Sequence, residues 1–329
     1  KTQIFENMIK DFTGSKHCIA TNSGTVSLTL AALALDLKSG DEVIVPNYTM
    51  IATPNSMNLV GIIPIFVDVE PETLCLDLEK VNSAINKRTK AIILVSANGR
   101  YPKTDIQEFK RLALEKNLYL IEDAAQSLGS FYPNGKHMGT LGDIGCFSFS
   151  TPKIISTGQG GALVTDDTEL AKKIRKLKDF GRSKGGSDLH ETIGFNFKFT
   201  DLQAVVGIEQ MKKLPARLLR KKRIWQLYKE KLENVEQIRL FDHNLDHTTP
   251  WFIDSVVDDR EGLVDHLKNH QIGTRLMYPP INEQVAYQVL GHHPVSKRIG
   301  SNGLWLPSMI QISDKQIDYI TDTITKFYT

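Results

Sequence analysis

Lys153 lies in the stretch STPKIISTGQGGALVTDD, residues 150–167, and glycines follow it at positions 158, 160 and 161. These glycines allow the chain to bend back tightly. A phosphate-binding loop of the GxxxxGK[ST] type would place the lysine after the glycines, so the reversed order excludes that motif. The lysine is therefore either an ordinary surface residue or the reactive residue of another kind of site.

Two other segments carry polar side chains that could bind a ligand. Asp123 ends the apolar run LYLIED, where a carboxylate is uncommon without a partner such as a protonated ring nitrogen, although it could also cap the next helix. In residues 20–35, the turn NSGT (22–25) opens a helix rich in alanine and leucine. Free backbone N–H groups and the helix dipole favour an anion there, while a plain N-cap explains the turn equally well.

These segments together predict a cofactor. Ser148 lies between two aromatic residues in FSFSTPK (147–153), five residues before Lys153. An anion-binding helix start, a strand-end carboxylate and a loop lysine suit the phosphate, the pyridinium and the aldehyde of pyridoxal phosphate (PLP), respectively.

The elements that position these residues alternate between strands and helices. Amphipathic stretches such as residues 104–117, with Asp105 near the start, predict helices between apolar runs. This alternation predicts a mainly parallel sheet covered on both faces, with ligands beyond the carboxyl ends of its strands. The runs that predict strands are VIVP (43–46), IFVDV (65–69), AIILVS (91–96), LYLIED (118–123), GCFSFS (145–150) and GALVTD (161–166).

The pattern changes at about residue 211. A long basic helix, roughly 211–234, is followed by short strands around QIRLF and WFIDSVV, by the helix REGLVDHLKNH and by a final helix DKQIDYITDTITKFY. We predict a large α/β domain over residues 1–210 and a smaller α+β domain over 211–329. The basic segment KKLPARLLRKKR (212–223) has leucines at helical spacing, so we interpret it as a solvated helix face.

Composition bounds the possible partners and the compartment. The 329 residues are 41% hydrophobic and 24% charged, with a net charge of +2, so bulk charge indicates neither a nucleic-acid nor a membrane partner. Cys18, Cys75 and Cys146 are too few and too far apart for a disulfide framework, which favours the reducing cytoplasm. No apolar run approaches roughly 18 residues, and no signal peptide opens the chain. The chain begins with Lys1 rather than Met, so we expect residues to be missing from its start.

Two other kinds of site are weighed and set aside. His266 and His270 are spaced i, i+4, as are His243 and His247, but neither pair has a third ligand or a catalytic glutamate. We therefore predict polar surface histidines and no metal. A nicotinamide enzyme would need a GxGxxG after its first strand, which is missing, and it would leave Lys153 unexplained.

Six motifs in order resemble the DegT/DnrJ/EryC1/StrS family of PLP-dependent sugar aminotransferases, within the type I aspartate aminotransferase fold. The resemblance covers nearly the whole chain, including IGTRLMYPP (272–280) and LPS (306–308). Members usually carry further residues before the equivalent of IFENMIKDF, which supports a missing N-terminus. The six motifs are SGT (23–25), GDEVIVP (40–46), EDAAQS (122–127), GDIGCFSF (142–149), PK…TGQGGALVTDD (152–167) and GFNFKFTDLQAVVGIEQ (194–210).

The resemblance implies roles for individual residues. Lys153 is the lysine that bonds covalently to PLP, Asp123 pairs with the ring nitrogen, and Gln126 lies near the phenolic oxygen. Asn196 reaches the phosphate in the neighbouring subunit, which implies a homodimer with its active site at the subunit interface. The phosphate is held by Ser23, Gly24, Thr25 and Ser148.

Three departures from the family pattern fall where cofactor or substrate should bind. Met50 stands where the family often places an aromatic over the ring, and its sulfur could still pack there. VSANG (95–99) replaces VHxYG, and PIN (280–282) replaces PLH. We name Asn98, Arg275 and Tyr278 as candidate substrate contacts. Arg275 suits a nucleotide diphosphate, although a structural ion pair would explain it nearly as well.

The implied reaction transfers an amino group from glutamate to a nucleotide-linked 4-keto-6-deoxyhexose. GFNFKFTDLQAVVGIEQMKKLP and TTPWFIDSVV resemble perosamine synthase-like members, which favours GDP-4-keto-6-deoxymannose over a dTDP- or UDP-linked sugar. Sugar dehydratases of the family carry histidine in place of the Schiff-base lysine, so Lys153 argues against them, and the pair Lys153 and Asp123 argues against a regulatory member. Amination at C4 or at C3, a dimer or a tetramer, and a product for a surface glycan such as an O-antigen all fit these motifs.

Overall fold

Two β-sheets organise the chain in the computed structural model, which describes residues 1–184, 186 and 188–329. The first sheet has the order β1-β7-β6-β5-β4-β2-β3, and within it β7 alone runs antiparallel to both of its neighbours. The carboxyl ends of the other six strands therefore meet at one edge. The strands are β1 (His17–Thr21), β2 (Glu42–Pro46), β3 (Ile63–Val67), β4 (Thr89–Val95), β5 (Tyr119–Asp123), β6 (Ile144–Ser148) and β7 (Gly161–Thr165).

The apolar strand sequences follow from burial on both faces of this sheet. Along β4, Ala91, Ile93 and Val95 enter one hydrophobic cluster, while Ile92 and Leu94 enter another. Successive side chains of a strand point to opposite faces, so a central strand must be apolar at every position. The predicted sheet, mainly parallel and covered on both faces, is confirmed.

Helices cover the first sheet, and six α-helices in the described residues come before residue 200 of the chain. Three of them begin at an aspartate, Asp77, Asp105 or Asp167, whose carboxylate accepts hydrogen bonds from the first backbone N–H groups. The helix predicted over 104–117 is present within those bounds. The helices are α1 (Thr2–Thr13), α2 (Gly24–Ala34), α3 (Ala52–Asn58), α4 (Leu78–Ala84), α5 (Ile106–Glu115) and α6 (Thr168–Leu177).

The second sheet is antiparallel, with the order β10-β11-β9-β8. Its core joins apolar side chains of the sheet to those of the helices that cover it, such as Ile224, Leu263, Leu304 and Ile317. Among the described residues, no helix has both the length and the apolar composition that crossing a membrane requires. The elements are α7 (Asp201–Lys231), β8 (Ile238–Leu240), β9 (Ile253–Val257), α8 (Arg260–Asn269), β10 (Arg275–Leu276), α9 (Pro294–Asn302), β11 (Gly303–Leu306) and α10 (Asp314–Tyr328).

Two element boundaries differ from the sequence predictions. β1 had not been predicted, and α7 begins at Asp201 rather than near residue 211. Thr200 and Gln203 form a capping box at the start of α7, a signal that the sequence TDLQ carries. The predicted domain boundary between residues 210 and 211 falls inside α7 and stays a prediction.

The two sheets meet through an inter-sheet cluster of buried side chains. Tyr48 and Ala97, which follow β2 and β4, pack in it with Met277 and Trp305 from the second sheet and its loops. This packing holds the second sheet beside the carboxyl edge of the first. The other buried members are Val69, Leu74, Cys75, Phe241 and Ile299.

Candidate active site

The carboxyl edge of the first sheet carries most of the residues that the sequence nominated. Residues 23–25 follow β1, Asn98 follows β4, Asp123 ends β5 and Ser148 ends β6. Lys153 lies on the loop between β6 and β7. Ligands of open α/β sheets bind at this edge, so the fold places these side chains where a site is expected.

Asp123 is 5% exposed and is held by two hydrogen bonds. One carboxylate oxygen accepts from the Thr53 hydroxyl at 2.8 Å, and the other accepts from the N–H of Ala125 at 3.2 Å. No helix follows β5 directly, so the alternative that Asp123 caps a helix is wrong. Burial raises the pKa of this carboxyl, and the nearby Lys153 opposes that rise. A cationic group bound against Asp123 would stabilise its ionised form.

Lys153 is partly buried and its ammonium group faces an aromatic ring. The nitrogen Nζ lies 3.7 Å from the centre of the Trp251 ring. Burial lowers the pKa of Lys153 to about 8, while the charge of Asp123 acts in the opposite direction. About a tenth of Lys153 is therefore the neutral, nucleophilic amine at pH 7, far more than for a lysine with the ordinary pKa.

Trp251 and its neighbours form an aromatic wall, consisting of Trp251, Phe252 and Trp305. The rings of Trp251 and Phe252 stack with centres 4.0 Å apart, and Phe252 lies 5.0 Å from Trp305. The indole N–H of Trp251 donates to the carbonyl of Pro152 at 2.7 Å, which ties the wall to the residue before Lys153. The sequence had drawn attention to TTPWFIDSVV only through resemblance, and the contact between Trp251 and Lys153 had not been expected.

The start of α2 carries hydrogen-bond donors that suit a small anion. Ser23 is the N-cap, and its hydroxyl accepts from the N–H of Val26 at 3.2 Å, while the first turn of any helix leaves N–H groups without intrahelical partners. A Cβ atom added to Gly24 would lie only 2.7 Å from the Cβ of Ser148, so a larger residue would fill the space between the two. The backbone here, with the hydroxyls of Thr25 and Ser148, fits the phosphate of PLP.

Asn98 adopts a left-handed conformation, with φ at 54°, and ties together two parts of the site. Its N–H donates to the side-chain oxygen of Gln126 at 2.7 Å. Its side-chain amide donates to the carbonyl of Phe252 at 3.0 Å and accepts from the N–H of Phe252 at 2.6 Å. Both ends of this amide are thus engaged by the backbone of the aromatic wall.

Arg275 is exposed and lies over aromatic rings. The carbon at the centre of its guanidinium is 5.2 Å from the centre of the Trp305 ring and 5.8 Å from that of Tyr278. Within the part of the chain that the structure describes, Arg275 makes no salt bridge, so the ion-pair alternative is not observed. Arg275 borders a cleft of about 550 Å³ that is also lined by Lys153, Lys221, Phe252, Trp305 and Gln311.

Met50 lies just before α3, close to Thr53, the residue whose hydroxyl donates a hydrogen bond to Asp123. Its side chain is 45% exposed, and its sulfur accepts from the N–H of Ala52 at 3.0 Å. Thr53, one residue further on, donates to Asp123. Met50 is therefore near the site, and its contact with the cofactor ring stays a prediction.

Comparison with known proteins decides the family. The family model described as the DegT/DnrJ/EryC1/StrS aminotransferase family matches residues 1–325. The chain belongs to this aminotransferase family. The family is PLP-dependent, so the cofactor and the enzyme class expected from the sequence are confirmed: the protein is a PLP-dependent sugar aminotransferase.

Relatives match along almost the whole aminotransferase. A GDP-perosamine synthase of Escherichia coli O157:H7 is 34% identical over 331 residues, covering 99% of this chain and 90% of that protein. A GDP-perosamine synthase of Vibrio cholerae is 32% identical over 332 residues, covering 98% and 90%. The crystal structure of a DegT DnrJ EryC1 StrS aminotransferase from Brucella abortus is 29% identical and superimposes with a TM-score of 0.93, covering 99% of this chain and 90% of that one. The predicted fold class is thereby confirmed.

Asn196 stands apart from the residues at the sheet edge, because its side chain is exposed. The carbonyl of the next residue, Phe197, accepts from the N–H of Asn22 at 3.2 Å. The segment around Asn196 thus runs beside the turn that precedes α2.

The sequence analysis predicted that the basic segment 212–223 is a solvated helix face. This prediction is wrong at one position. Lys221 is 5% exposed, and its ammonium donates to the carbonyls of Trp251 and Ser308, both at 2.6 Å. Burial lowers its pKa to about 8. No sequence signal distinguishes Lys221 from its basic neighbours, because its burial depends on contacts with distant segments.

The prediction of surface histidines is wrong for His243. This side chain is buried, and its Nε2 atom lies 3.1 Å from a guanidinium nitrogen of Arg100. Burial and the charge of Arg100 hold the pKa of His243 well below its ordinary value. His270, the C-cap residue that follows α8, is exposed, as predicted.

Proposed function

We propose that this aminotransferase moves the amino group of glutamate to C4 of GDP-4-keto-6-deoxymannose and so forms GDP-perosamine, in a pathway of deoxysugar biosynthesis. The observation that carries the proposal is similarity along nearly the whole chain to two proteins named GDP-perosamine synthase. The geometry of Lys153, Asp123 and the start of α2 supports it, because those groups suit the three parts of PLP that must be held.

Bound PLP would supply an electron sink for the carbanion formed at the α-carbon of the amino donor. We assign the phosphate to Ser23, Gly24, Thr25 and Ser148. The contact between Gly24 and Ser148 supports this assignment, since it leaves backbone rather than side chain facing the anion.

We assign to Lys153 the covalent attachment and the movement of the proton. With PLP and glutamate bound, the Nζ atom would act as the general base that takes the proton from the α-carbon of glutamate. The pKa of about 8 supports this role, because a base is most effective when its pKa lies near the working pH. The ring of Trp251 covers Nζ on one side.

We assign to Asp123 the role of binding the ring nitrogen of PLP. Its buried carboxylate would keep that nitrogen protonated, since an ion pair in a place of low dielectric strongly favours both charged forms. The hydroxyl of Thr53 orients the carboxylate by its hydrogen bond of 2.8 Å. We assign Gln126 to the phenolic oxygen, and its side chain is oriented by the hydrogen bond that it accepts from the N–H of Asn98.

For the nucleotide sugar, we propose Arg275 and Tyr278 as contacts. An exposed guanidinium above Trp305, at the mouth of the cleft that contains Lys153, suits the oxygens of a diphosphate. We assign Asn98 to holding Phe252 in place rather than to the substrate, because both ends of its amide are already bonded.

We further propose a homodimer in which Asn196 of the partner subunit reaches the phosphate. Apolar side chains are exposed near Asn196 and along the first turns of α7, where a second copy could cover them: Ile193, Phe195, Leu202, Val205 and Val206. Mixing inactive Lys153→Ala and Asn196→Ala chains would test this. A shared site predicts recovery of about a quarter of the wild-type activity, because half of the randomly paired dimers contain one intact site of two. No recovery would contradict the shared site.

We place the reaction in the cytoplasm. Cys18, Cys75 and Cys146 are all buried free thiols. Unpaired cysteines of this kind are typical of proteins from reducing compartments.

The decisive experiment supplies PLP and glutamate to the purified protein and follows the absorbance change to the pyridoxamine form, with Lys153→Ala as the control. Keto-sugars linked to GDP, dTDP and UDP are then added as substrates, and the products are separated and identified by mass spectrometry. We expect the GDP sugar to be aminated at least about tenfold faster than the others. Preference for dTDP or UDP would overturn the substrate, and failure of the wild type to respond to glutamate would overturn the whole proposal.

A further inference from the structure

A buried ion pair joins the two sheets close to the aromatic wall. Arg100 follows β4, Asp254 lies in β9, and they are 4% and 1% exposed. The guanidinium donates to both carboxylate oxygens, at 3.1 and 2.7 Å. The pair lies against the otherwise apolar inter-sheet cluster, since the guanidinium stacks on Phe241 and Asp254 is the cross-strand partner of Trp305.

Arg100 makes further hydrogen bonds outside the ion pair. Its Nε donates to the carbonyl of Thr73 at 2.9 Å, and the ring of His243 lies 3.1 Å from its Nη1. Arginine can only donate, so Nε2 of His243 is the acceptor and Nδ1 carries the proton, which faces the Thr248 hydroxyl at 3.2 Å. Several hydrogen bonds around an ion pair, as here, offset the cost of burying the two charges.

The ion pair is one of several connections between the same two segments, and a long hydrogen bond of 3.5 Å also joins the N–H of Trp251 to the carbonyl of Asn98. Asn98 binds the backbone of Phe252, and two residues further along both segments Arg100 binds Asp254. Together these bonds fix the beginning of β9 against the loop after β4. Trp251 immediately precedes this anchored stretch.

The position of Trp251 matters because of what it touches. Its ring lies 3.7 Å from Nζ of Lys153, and its indole N–H is bonded to Pro152. A shift of β9 relative to the first sheet would therefore move the ring that covers the reactive amine. Lys221 holds the carbonyl of Trp251 from the other side, and its other hydrogen bond in the described part of the chain goes to the carbonyl of Ser308.

We propose that Arg100 and Asp254 are positioning residues, whose ion pair sets the place of Trp251 over Lys153 and thereby shields the reactive nitrogen from water. The inference rests on the proposed role of Lys153. It adds that the second sheet positions a residue of the active site through this ion pair, and not through apolar packing alone.

Three variants of the full-length protein test the proposal. Asp254→Asn keeps the shape of the side chain and removes its charge. The double variant Arg100→Met/Asp254→Leu removes both charges at similar volume, an exchange that buried ion pairs often tolerate without loss of stability. The control is Glu42→Gln, which alters a carboxylate that is 1% exposed and bonded to Asn86 and Arg88 at the opposite edge of the first sheet.

The first measurement needs no cofactor. Acetylation of Lys153 in the PLP-free protein is followed by mass spectrometry as a function of pH, with Asp123, the charged group that faces Lys153, unchanged throughout. We expect the pH at which acetylation is half-maximal to lie near 8 for the wild type and for Glu42→Gln. In the double variant, water reaches the ammonium and the midpoint rises by about one pH unit.

The second measurement uses the PLP-loaded proteins. At saturating glutamate, we expect the rate constant of the glutamate half-reaction to fall at least about tenfold in Asp254→Asn and in the double variant, with little change in the glutamate concentration for half-saturation. Glu42→Gln should react at the wild-type rate. A merely structural role would lower the melting temperature without this selective loss of rate.

The outcome is decided on the double variant if Asp254→Asn fails to fold. A folded double variant with an unchanged Lys153 midpoint and an unchanged half-reaction rate would overturn the proposal. If the wild type itself ignores glutamate, the proposed function fails, while the acetylation midpoints still decide whether the ion pair shields Lys153.

Discussion

The loop between β6 and β7 and the middle of α7 each hold a lysine against Trp251, one at its ring and one at its carbonyl. Burial lowers the pKa of Lys153 and of Lys221 to about 8 in both cases. The ammonium of Lys221 donates to two carbonyls at 2.6 Å. In the described part of the chain, that of Lys153 donates no hydrogen bond and faces only a ring and a carboxylate.

This comparison teaches that a lowered pKa does not by itself identify a reactive lysine. Desolvation acts equally on a structural group and on a catalytic one. The difference lies in whether the hydrogens of the ammonium are already engaged, because an engaged amine cannot leave its partners to attack a carbonyl.

Two adjacent carboxylates on β5 repeat the contrast. Glu122 and Asp123 point to opposite faces of the sheet, as successive residues of a strand must. Glu122 accepts four hydrogen bonds, from the hydroxyl of Tyr132 and from the N–H groups of Gly139, Leu141 and Gly142, at 2.5 to 2.7 Å. Asp123 accepts two and has capacity left for a ligand.

The largest difference is expected between the activities of two variants in which one of the lysines is replaced by methionine. We expect Lys153→Met to lower the glutamate half-reaction by at least about a thousandfold, because both the nucleophile and the base are lost. Lys221→Met should retain most of the activity per folded molecule. Stopped-flow absorbance at saturating glutamate measures both, and an equally inactive Lys221→Met that is fully folded would break the comparison.

The second-largest difference is expected between variants of the two carboxylates. Asp123→Asn is expected to slow the half-reaction by about a hundred- to a thousandfold with little change in melting temperature, because the ring nitrogen loses its charged partner. Glu122→Gln should instead destabilise the fold by about 3 kcal/mol, since an amide cannot accept the same set of N–H donors. Kinetics and urea unfolding of both variants provide the test, and a reversal of the two effects would contradict the assignment.

The stability of Lys221→Met sharpens the comparison further. We expect the free energy of unfolding to fall by about 1 to 3 kcal/mol, because two buried carbonyls lose their donor. Lys213→Met, at an exposed position of the same helix, is the matched control and should change stability by less than about 0.5 kcal/mol. Urea unfolding followed by tryptophan fluorescence measures both, and equal stabilities would show that Lys221 contributes nothing.

The smallest effect concerns pH. The pKa of Lys221 is about 8 in the folded protein and 10.5 ordinarily, so the unfolded chain binds more protons between these values. Stability from this residue is therefore lowest below pH 8 and increases as the pH rises toward 10.5. Between pH 8 and about pH 9.5, we expect the wild type to gain about 1.5 kcal/mol more than Lys221→Met. Parallel gains in the two proteins would contradict the lowered pKa.

Features encoded by neighbouring residues were predicted well. The turn NSGT does open α2 with Ser23 as its N-cap, and LYLIED does end a buried strand at Asp123. The capping box of Thr200 and Gln203 was also readable, although α7 was placed to begin too late. Helix starts and strand periodicity depend on side chains within a few residues of one another, so the sequence displays them directly.

Features that depend on distant partners were missed or predicted wrongly. Thr53 was not linked to Asp123, and Lys221 and His243 were placed at the surface. Many polar residues could have paired with each of these groups, and no local pattern selects among them.

By itself, the sequence determined the alternating α/β order, the polar turn that begins α2, the strand-end carboxylate and the loop lysine, because short-range sterics and hydrogen bonding impose these patterns on adjacent residues. The tertiary structure alone decided which lysine is engaged and which is not. It also decided that Arg100 meets Asp254 and that Asn98 meets Phe252, in each case 154 residues away along the chain. These contacts exist because packing of the second sheet against the first excludes water between them, so that each buried polar group must find a partner there.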